Sequence, residues 1–457
     1  MPAVTILSYN PADPEDLVAE VDAPGAEAVR AAVGRARAAQ PGWLAAGAAA
    51  RSAALTRFAG AVEEHAEELT ALIVREVGKP VAEARGEVGR TAAILRYYAQ
   101  APYAPAGAVH ETAAGEGLLL TRRRPYGVAG LITPWNFPLA IPAWKAAPAL
   151  AVGNTVALKP APEATACALR LAELASAAGL PEGVFTVLPG GAEEGAALVD
   201  TADVVSFTGS TGVGRAVVRA ATERGVPVQA ELGGLNAALV LPDADPEQAA
   251  AHLAAAIAGY AGQKCTATSR VIAVGAAHEP LRAALVKALG LVDDAACGPV
   301  ISAAARDRLT GAVESARAAG ATVLTGGGVP ERPGWYVEPT LLADVPAEHP
   351  LRREEFFGPV AVLLAAADLD EAIALANDTP HSLATSVHSR SLDVALAAAD
   401  RLDAGMIRIN APSSGVDFHL PFGGAKGASH GEREQGAAAL DFYTASRTVS
   451  VLPAGGA

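Results

Sequence analysis

Short apolar segments that end in a turn and give way to a helix recur along this chain. Residues 127–133 (GVAGLIT), 154–159 (NTVALK), 183–188, 204–207 and 226–232 each have the length and composition of a strand, and Ala-rich helical stretches separate them. Strands joined by helices of this length form βαβ units and a parallel sheet. The rhythm restarts with a strand at 237–241, a helix at 246–261 and a strand at 270–274, and it runs on to Asn410, so a second α/β domain is expected. A chain of 457 residues is also too long for one ordinary domain. In parallel sheets ligands bind beyond the carboxyl ends of the strands. Asn136, Lys159, Gly209, Ser210 and Glu231 all fall at or near such ends, so the fold directs them to one crevice.

Ahead of the first strand the pattern is helical. Turn residues at 10–14 precede an Ala-rich run through Val29, Val33 and Ala36; 50–77 reads as one long amphipathic helix and 83–101 as another, a helical layer over the sheet. Residues 117–124 (GLLLTRRR) read as a strand ending in basic residues, 423–436 as a Gly-rich loop, 441–452 as a final strand and 453–457 as a frayed tail. The net charge of −14 argues against a nucleic-acid footprint and against an anionic membrane surface. The apolar segment 137–152 is too short to span a bilayer and is broken by Pro138, Pro142, Lys145 and Pro148. No basic, then apolar, leader opens the chain, and three cysteines suit a reducing compartment, so a cytoplasmic protein is expected. No spacing resembles a metal site.

The chemistry centres on 261–270 (AGQKCTATSR). Cys265 stands there on a loop of small residues, where a thiolate can be approached by a carbonyl carbon. Taken alone it is as well read as a small buried hydrophobe. Three other stretches supply what a cysteine attacking an aldehyde needs. Asn136, in a turn bracketed by Pro134 and Pro138, offers an NH₂ to an oxyanion, or simply makes an Asx turn. Glu231 precedes Gly233-Gly234 and offers a general base for thioester hydrolysis, or a surface salt bridge. Residues 209–214 (GSTGVG) turn a strand into a helix and suit a pyrophosphate, although they are not the dinucleotide fingerprint. Lys159 and Glu355 offer groups for ribose hydroxyls or phosphate, and a Phe of 354–359 (EEFFGP) offers a ring to pack on nicotinamide; a solvated Lys and core aromatics beside a charged turn are the plain alternatives. Cys167 and Cys297 read as structural.

Together these stretches resemble the aldehyde dehydrogenase superfamily. The resemblance covers nearly the whole chain, through NPADPEDLVAEV, TPWNFPLAIPAWKAAPALAVGN, LKPAPEAT, SFTGSTGVGR, ELGG, AGQKCTATSR, EEFFGPV and PFGGAKGASHGEREQG. It implies an α/β fold: a Rossmann-like NAD(P)-binding domain over 1–106 and 126–232, a catalytic α/β domain over 233–435, and a small β oligomerisation arm over 107–125 and 436–457. It implies Cys265 as nucleophile, Glu231 as general base, and Asn136 with the Cys265 N–H as oxyanion donors. Thr133, Pro134, Trp135, Lys159, Gly209, Ser210, Leu232, Glu355 and Phe357 would hold the cofactor. The implied course is thiohemiacetal, hydride transfer to NAD(P)⁺, thioester and hydrolysis, in a homodimer or homotetramer.

Two positions depart from the pattern. Leu235 stands where the family commonly has Lys. Pro162 stands where a Glu often binds the adenine-ribose hydroxyl, and Glu163 follows it. Loss of that carboxylate removes repulsion against a 2′-phosphate, so NADP⁺ is expected to be accepted. The segment 415–436 and GQKCTATSR resemble the α-ketoglutaric semialdehyde (2,5-dioxovalerate) dehydrogenases, which implies a small anionic semialdehyde; Lys264 or one of Arg122–Arg124 could offset its carboxylate, the alternative being that Lys264 points away and the pocket is neutral. The alternatives are a neutral aliphatic or aromatic aldehyde, or a silent structural family member. The last would be expected to lack Cys265, Glu231 or Asn136, and all three are present.

Overall fold

The computed structural model describes residues 4–113 and 115–452; the tail read as frayed lies outside them. Its first sheet has five parallel strands, in the order Phe185–Val187, Thr155–Pro160, Val128–Thr133, Val204–Thr208 and Val228–Glu231. Every residue of Val128–Thr133 and Thr155–Pro160 is buried, as expected of parallel strands covered on both faces. The first three strands build outward from Val128–Thr133 in one direction and the next two in the other. The switch point therefore lies between Val128–Thr133 and Val204–Thr208.

The second sheet has seven strands, in the order Thr322–Thr325, Thr340–Ala343, Val360–Ala366, Thr268–Val274, Asn236–Val240, Ala384–His388 and Met406–Ile409. All neighbours are parallel except the first pair. A third sheet of Gly107–His110, Leu118–Pro125 and Thr444–Val451 is antiparallel and largely exposed. The loop read over 423–436 contributes a short strand, Ser429–His430, that pairs antiparallel with Val228–Glu231, so a late segment closes the edge of the first sheet.

The N-terminal region departs from the sequence reading in two places. Thr5–Asn10 and Asp13–Asp22 form an antiparallel hairpin before the first helix, Gly25–Ala45. Its second strand is polar and nowhere fully buried, so its alternation is too weak to read. The single helix expected over 50–77 is two, Gly47–Glu64 and Ala66–Val77, broken at His65. Helix Val81–Ala99 follows and packs on Gly47–Glu64 and on Ala140–Ala151. Ala140–Ala151 is buried at every position, because it is apolar all round and sits between this helical layer and the sheet. Among the described residues no helix is long and apolar enough to cross a membrane.

Leu158 pairs in register with Leu131 and is fully buried in the core between sheet and helices. Leu158→Ala is expected to lower stability by about 2–5 kcal/mol, read as a lower thermal unfolding midpoint; an unchanged midpoint would contradict this placement of the core.

Candidate active site

Cys265 follows a tight turn, Gly259–Gly262, in which Tyr260 (φ 54°) and Ala261 (φ 49°) are left-handed. Non-glycine residues there cost of order 1–3 kcal/mol each and persist only where the surroundings hold them. Several groups hold this turn. The Tyr260 hydroxyl donates to the Val77 carbonyl (2.9 Å). Gln263, fully buried, donates to the Pro299 carbonyl and accepts from the Ile301 N–H. Asn236 donates to the carbonyls of Cys265 (2.7 Å) and Ala267 (2.8 Å). The sequence reading gave no weight to Gln263 or Asn236, whose work depends on partners far along the chain.

Asn136 is brought to the same place. It is buried, and its NH₂ donates to the Gln263 carbonyl (2.9 Å), two residues before Cys265; that leaves its other N–H free for an acceptor. One helix holds both loops. On Val81–Ala99, Glu87 accepts from the N–H groups of Leu139 and Ala140 (2.9 and 3.1 Å), just past Asn136, and pairs with Lys79 where both side chains are fully buried. The Lys79 ammonium lies 3.7 Å from the Phe137 ring centroid and 4.6 Å from that of Tyr260, touching both loops. One turn earlier, Glu83 pairs with Lys264 (2.7 Å). Lys264 is thus committed to a protein carboxylate, contrary to the expectation that it offsets a substrate. Arg122–Arg124 lie on the exposed strand Leu118–Pro125, where Arg123 pairs with Asp441.

Glu231 ends its strand and is buried. Its Oε2 accepts from Ser429 (2.6 Å), while Oε1 is buried without a partner. Burial and then Glu434 push its pKa well up, against the pull of Ser429, Lys145 and Arg433. Glu434 forms a buried pair with Lys145 and accepts from Trp144 (2.8 Å) and Ser206 (3.3 Å). Glu231, Glu355 and Glu434 all bear on Cys265; they add to burial in pushing the thiol pKa well above its ordinary value.

The residues expected to hold a cofactor lie along the sheet's carboxyl edge. Thr133 and Thr208 end the two strands that flank the switch point, and both hydroxyls are buried with no partner. Gly209 and Ser210 precede helix Thr211–Glu223, and Ser210 makes no side-chain cap bond. A Cβ at Gly214 in that helix would meet the tip of the Leu232 side chain at 2.1 Å and the Phe207 ring at 2.9 Å. Lys159 donates only to the carbonyls of Pro160 (2.7 Å) and Gly190 (3.0 Å), and burial draws its pKa down to about 8. Pro134 and Trp135 follow Thr133 in the turn. Trp135 meets Phe357 edge to face, with centroids 5.6 Å apart, and Phe357 is itself left-handed (φ 57°). The Glu355 carboxylate lies where a Cβ at Gly233 would be, so a side chain there would displace it. Burial raises the Glu355 pKa to about 7, despite the Gly234 N–H and Arg308. Orphaned hydroxyls, a free helix N-terminus and a lysine held only by carbonyls fit a group rich in phosphate and hydroxyl oxygens. Leu235 is buried at the start of the second sheet. Cys167 and Cys297 are buried, as read. Among the described residues there is no cluster able to hold a metal ion.

In the free protein, inactivation by iodoacetamide is expected to accelerate steadily from pH 7 to above pH 9, because the raised thiol pKa keeps the thiolate fraction growing through that range. A plateau reached below pH 8 would contradict this electrostatic setting.

The sequence model of the aldehyde dehydrogenase family matches residues 2–449. The alpha-ketoglutaric semialdehyde dehydrogenase of Bacillus subtilis is 40% identical, over 97% of this chain and 94% of its own. The alpha-ketoglutarate semialdehyde dehydrogenase of Haloferax volcanii is 40% identical, over 96% of this chain and 94% of its own. The crystal structure of an NAD-dependent aldehyde dehydrogenase from Sinorhizobium meliloti superposes with a TM-score of 0.95 at 35% identity, covering 99% of this chain and 92% of that one.

Proposed function

Because the chain belongs to the aldehyde dehydrogenase family, we propose that it oxidises a small anionic semialdehyde, 2,5-dioxopentanoate, to the dicarboxylic acid. The balance is aldehyde, NAD(P)⁺ and water to acid, NAD(P)H and a proton. The observation that carries the reading is the pairing of Asn136 with the Cys265 loop beside a Glu231 that has one unpartnered oxygen.

Cys265 loses its proton to water, and the thiolate Sγ adds to the aldehyde carbon as the C=O π pair moves onto oxygen. The free Asn136 N–H and the Cys265 N–H donate to the oxygen that becomes negative, and one such donor is worth about 3 kcal/mol of barrier. A bound oxidised nicotinamide supplies the hydride acceptor and a positive charge. Thr133, Pro134, Trp135, Lys159, Gly209, Ser210, Leu232, Glu355 and Phe357 would hold that cofactor along the carboxyl edge of the first sheet. With a thioester on Cys265, Glu231 takes a proton from water as the water oxygen adds to the acyl carbon; the C–S bond then breaks and the acid leaves. The raised pKa makes the ionised Glu231 a stronger proton acceptor, and the nearby Glu434 helps to raise it.

The anionic substrate is supported by the two semialdehyde relatives. A neutral aldehyde has one observation in its favour: Cys265 packs on an apolar cluster of Leu383, Ala384, Met406, Phe422 and Ala428. The first sheet would form the cofactor domain, the second the catalytic domain. The outer arm strand Thr444–Val451 pairs on one side only, an edge suited to a second copy in a homodimer or homotetramer. Three free cysteines suit the cytoplasm.

Initial rates on 2,5-dioxopentanoate and on pentanal, each with NAD⁺ and NADP⁺, test the reading, with Cys265→Ala as the inactive blank. The dioxo acid is expected to have the higher kcat/KM. Glu163 acts on Lys159 only through space and Pro162 supplies no carboxylate, so NADP⁺ is expected within about tenfold of NAD⁺, or about 1.4 kcal/mol. Equal rates on pentanal would withdraw the substrate, and an exclusive use of NAD⁺ would withdraw the cofactor reading.

A further inference from the structure

Arg90 follows Glu83 and Glu87 by two turns and one turn on helix Val81–Ala99. Those two carboxylates are committed, to Lys264 and to Lys79 with the Leu139 and Ala140 N–H groups. The Arg90 guanidinium is not matched in this way. Its Nη2 donates to the Val416 carbonyl, and its Nε is buried with no partner. Asp417 and Glu87 act on it through space, and burial outweighs them, drawing its pKa down. A cation so placed has given up water without gaining an anion in contact.

Its position connects it to the reacting group. Val416, whose carbonyl it holds, packs together with Cys265 on one small apolar cluster. The guanidinium is therefore anchored to a segment that shares one apolar cluster with Cys265.

We propose that Arg90 is the specificity-determining residue for the substrate's carboxylate: its guanidinium binds the anionic end of the semialdehyde while the aldehyde carbon meets Cys265. The inference rests on the anionic-semialdehyde reading and supplies the cation that Lys264 and Arg122–Arg124 do not. Planar guanidinium N–H groups match a carboxylate in a fork, and in a partly dry site such bonds are stronger than in water. The apolar cluster then takes the hydrocarbon chain between the two ends.

The test compares wild type, Arg90→Gln and Arg90→Lys on 2,5-dioxopentanoate and pentanal with one cofactor, with thermal unfolding of each variant. In Arg90→Gln the ratio of kcat/KM for the dioxo acid over pentanal is expected to fall about 10- to 100-fold, mainly through KM for the dioxo acid, the size of a lost charge-assisted bond. Arg90→Lys is expected to recover part of the ratio, because it keeps the charge and loses the fork. A wild-type preference that survives in Arg90→Gln overturns the role of Arg90 and leaves the substrate reading standing. A wild type with no preference overturns both. If Arg90→Gln does not fold, the ratio in Arg90→Lys decides: a fall supports the proposal and an unchanged ratio overturns it.

Discussion

The pair formed by Lys79 and Glu87 is the interaction on which the site's geometry depends. Neither residue belongs to the loops that carry Cys265 and Asn136, yet the pair touches both. Glu87 holds the N–H groups just past Asn136, and Lys79 lies against Phe137 on one side and Tyr260 on the other. Burying two charges costs several kcal/mol per ion before their attraction is counted. The added hydrogen bonds and ring contacts offset that cost, and what results is a fixed distance. A nucleophile and an oxyanion donor on separate loops, one of them strained, need such a brace, because a displacement of about 1 Å can cost two orders of magnitude in rate.

The charges around Cys265 follow a second logic. Three carboxylates, Glu231, Glu355 and Glu434, bear on the thiol, and burial raises Glu231 and Glu355 themselves. Only Glu434 has a full ammonium partner, Lys145. A raised pKa favours the uncharged carboxyl, so these groups neither repel an anion as full charges nor supply a cation to hold one. A substrate carboxylate therefore needs its counter-charge from elsewhere, which is the reason to look for an unmatched guanidinium beside the site.

Much of this was legible in the sequence because parallel strands are short, apolar and separated by helices. The ends of those strands carry Asn136, Lys159, Gly209 and Glu231, and the fold places strand ends together. The unread parts share one property: their meaning depends on distant partners. Lys264 looks like a cation beside a nucleophile, but its carboxylate partner, Glu83, lies far back in the chain. Glu87 and Arg90 sit on what reads as an ordinary amphipathic helix, and Lys79 just before it. Nothing local says that it faces residues 136–140, 260–265 and 416. The break at His65 and the polar N-terminal hairpin were missed for a different reason, since the first has no proline or glycine to mark it and the second has no buried face to give it a period.

The account stands or falls on Cys265 forming the covalent intermediate that Glu231 resolves. The direct measurement is intact mass followed by peptide mapping of Glu231→Gln, mixed with 2,5-dioxopentanoate and the oxidised cofactor. A glutamine cannot take the proton from water, so an acyl group is predicted to accumulate on the peptide that contains Cys265, with reduced cofactor formed in equal amount. Steady turnover with no adduct, or an adduct on Cys167 or Cys297, would contradict it.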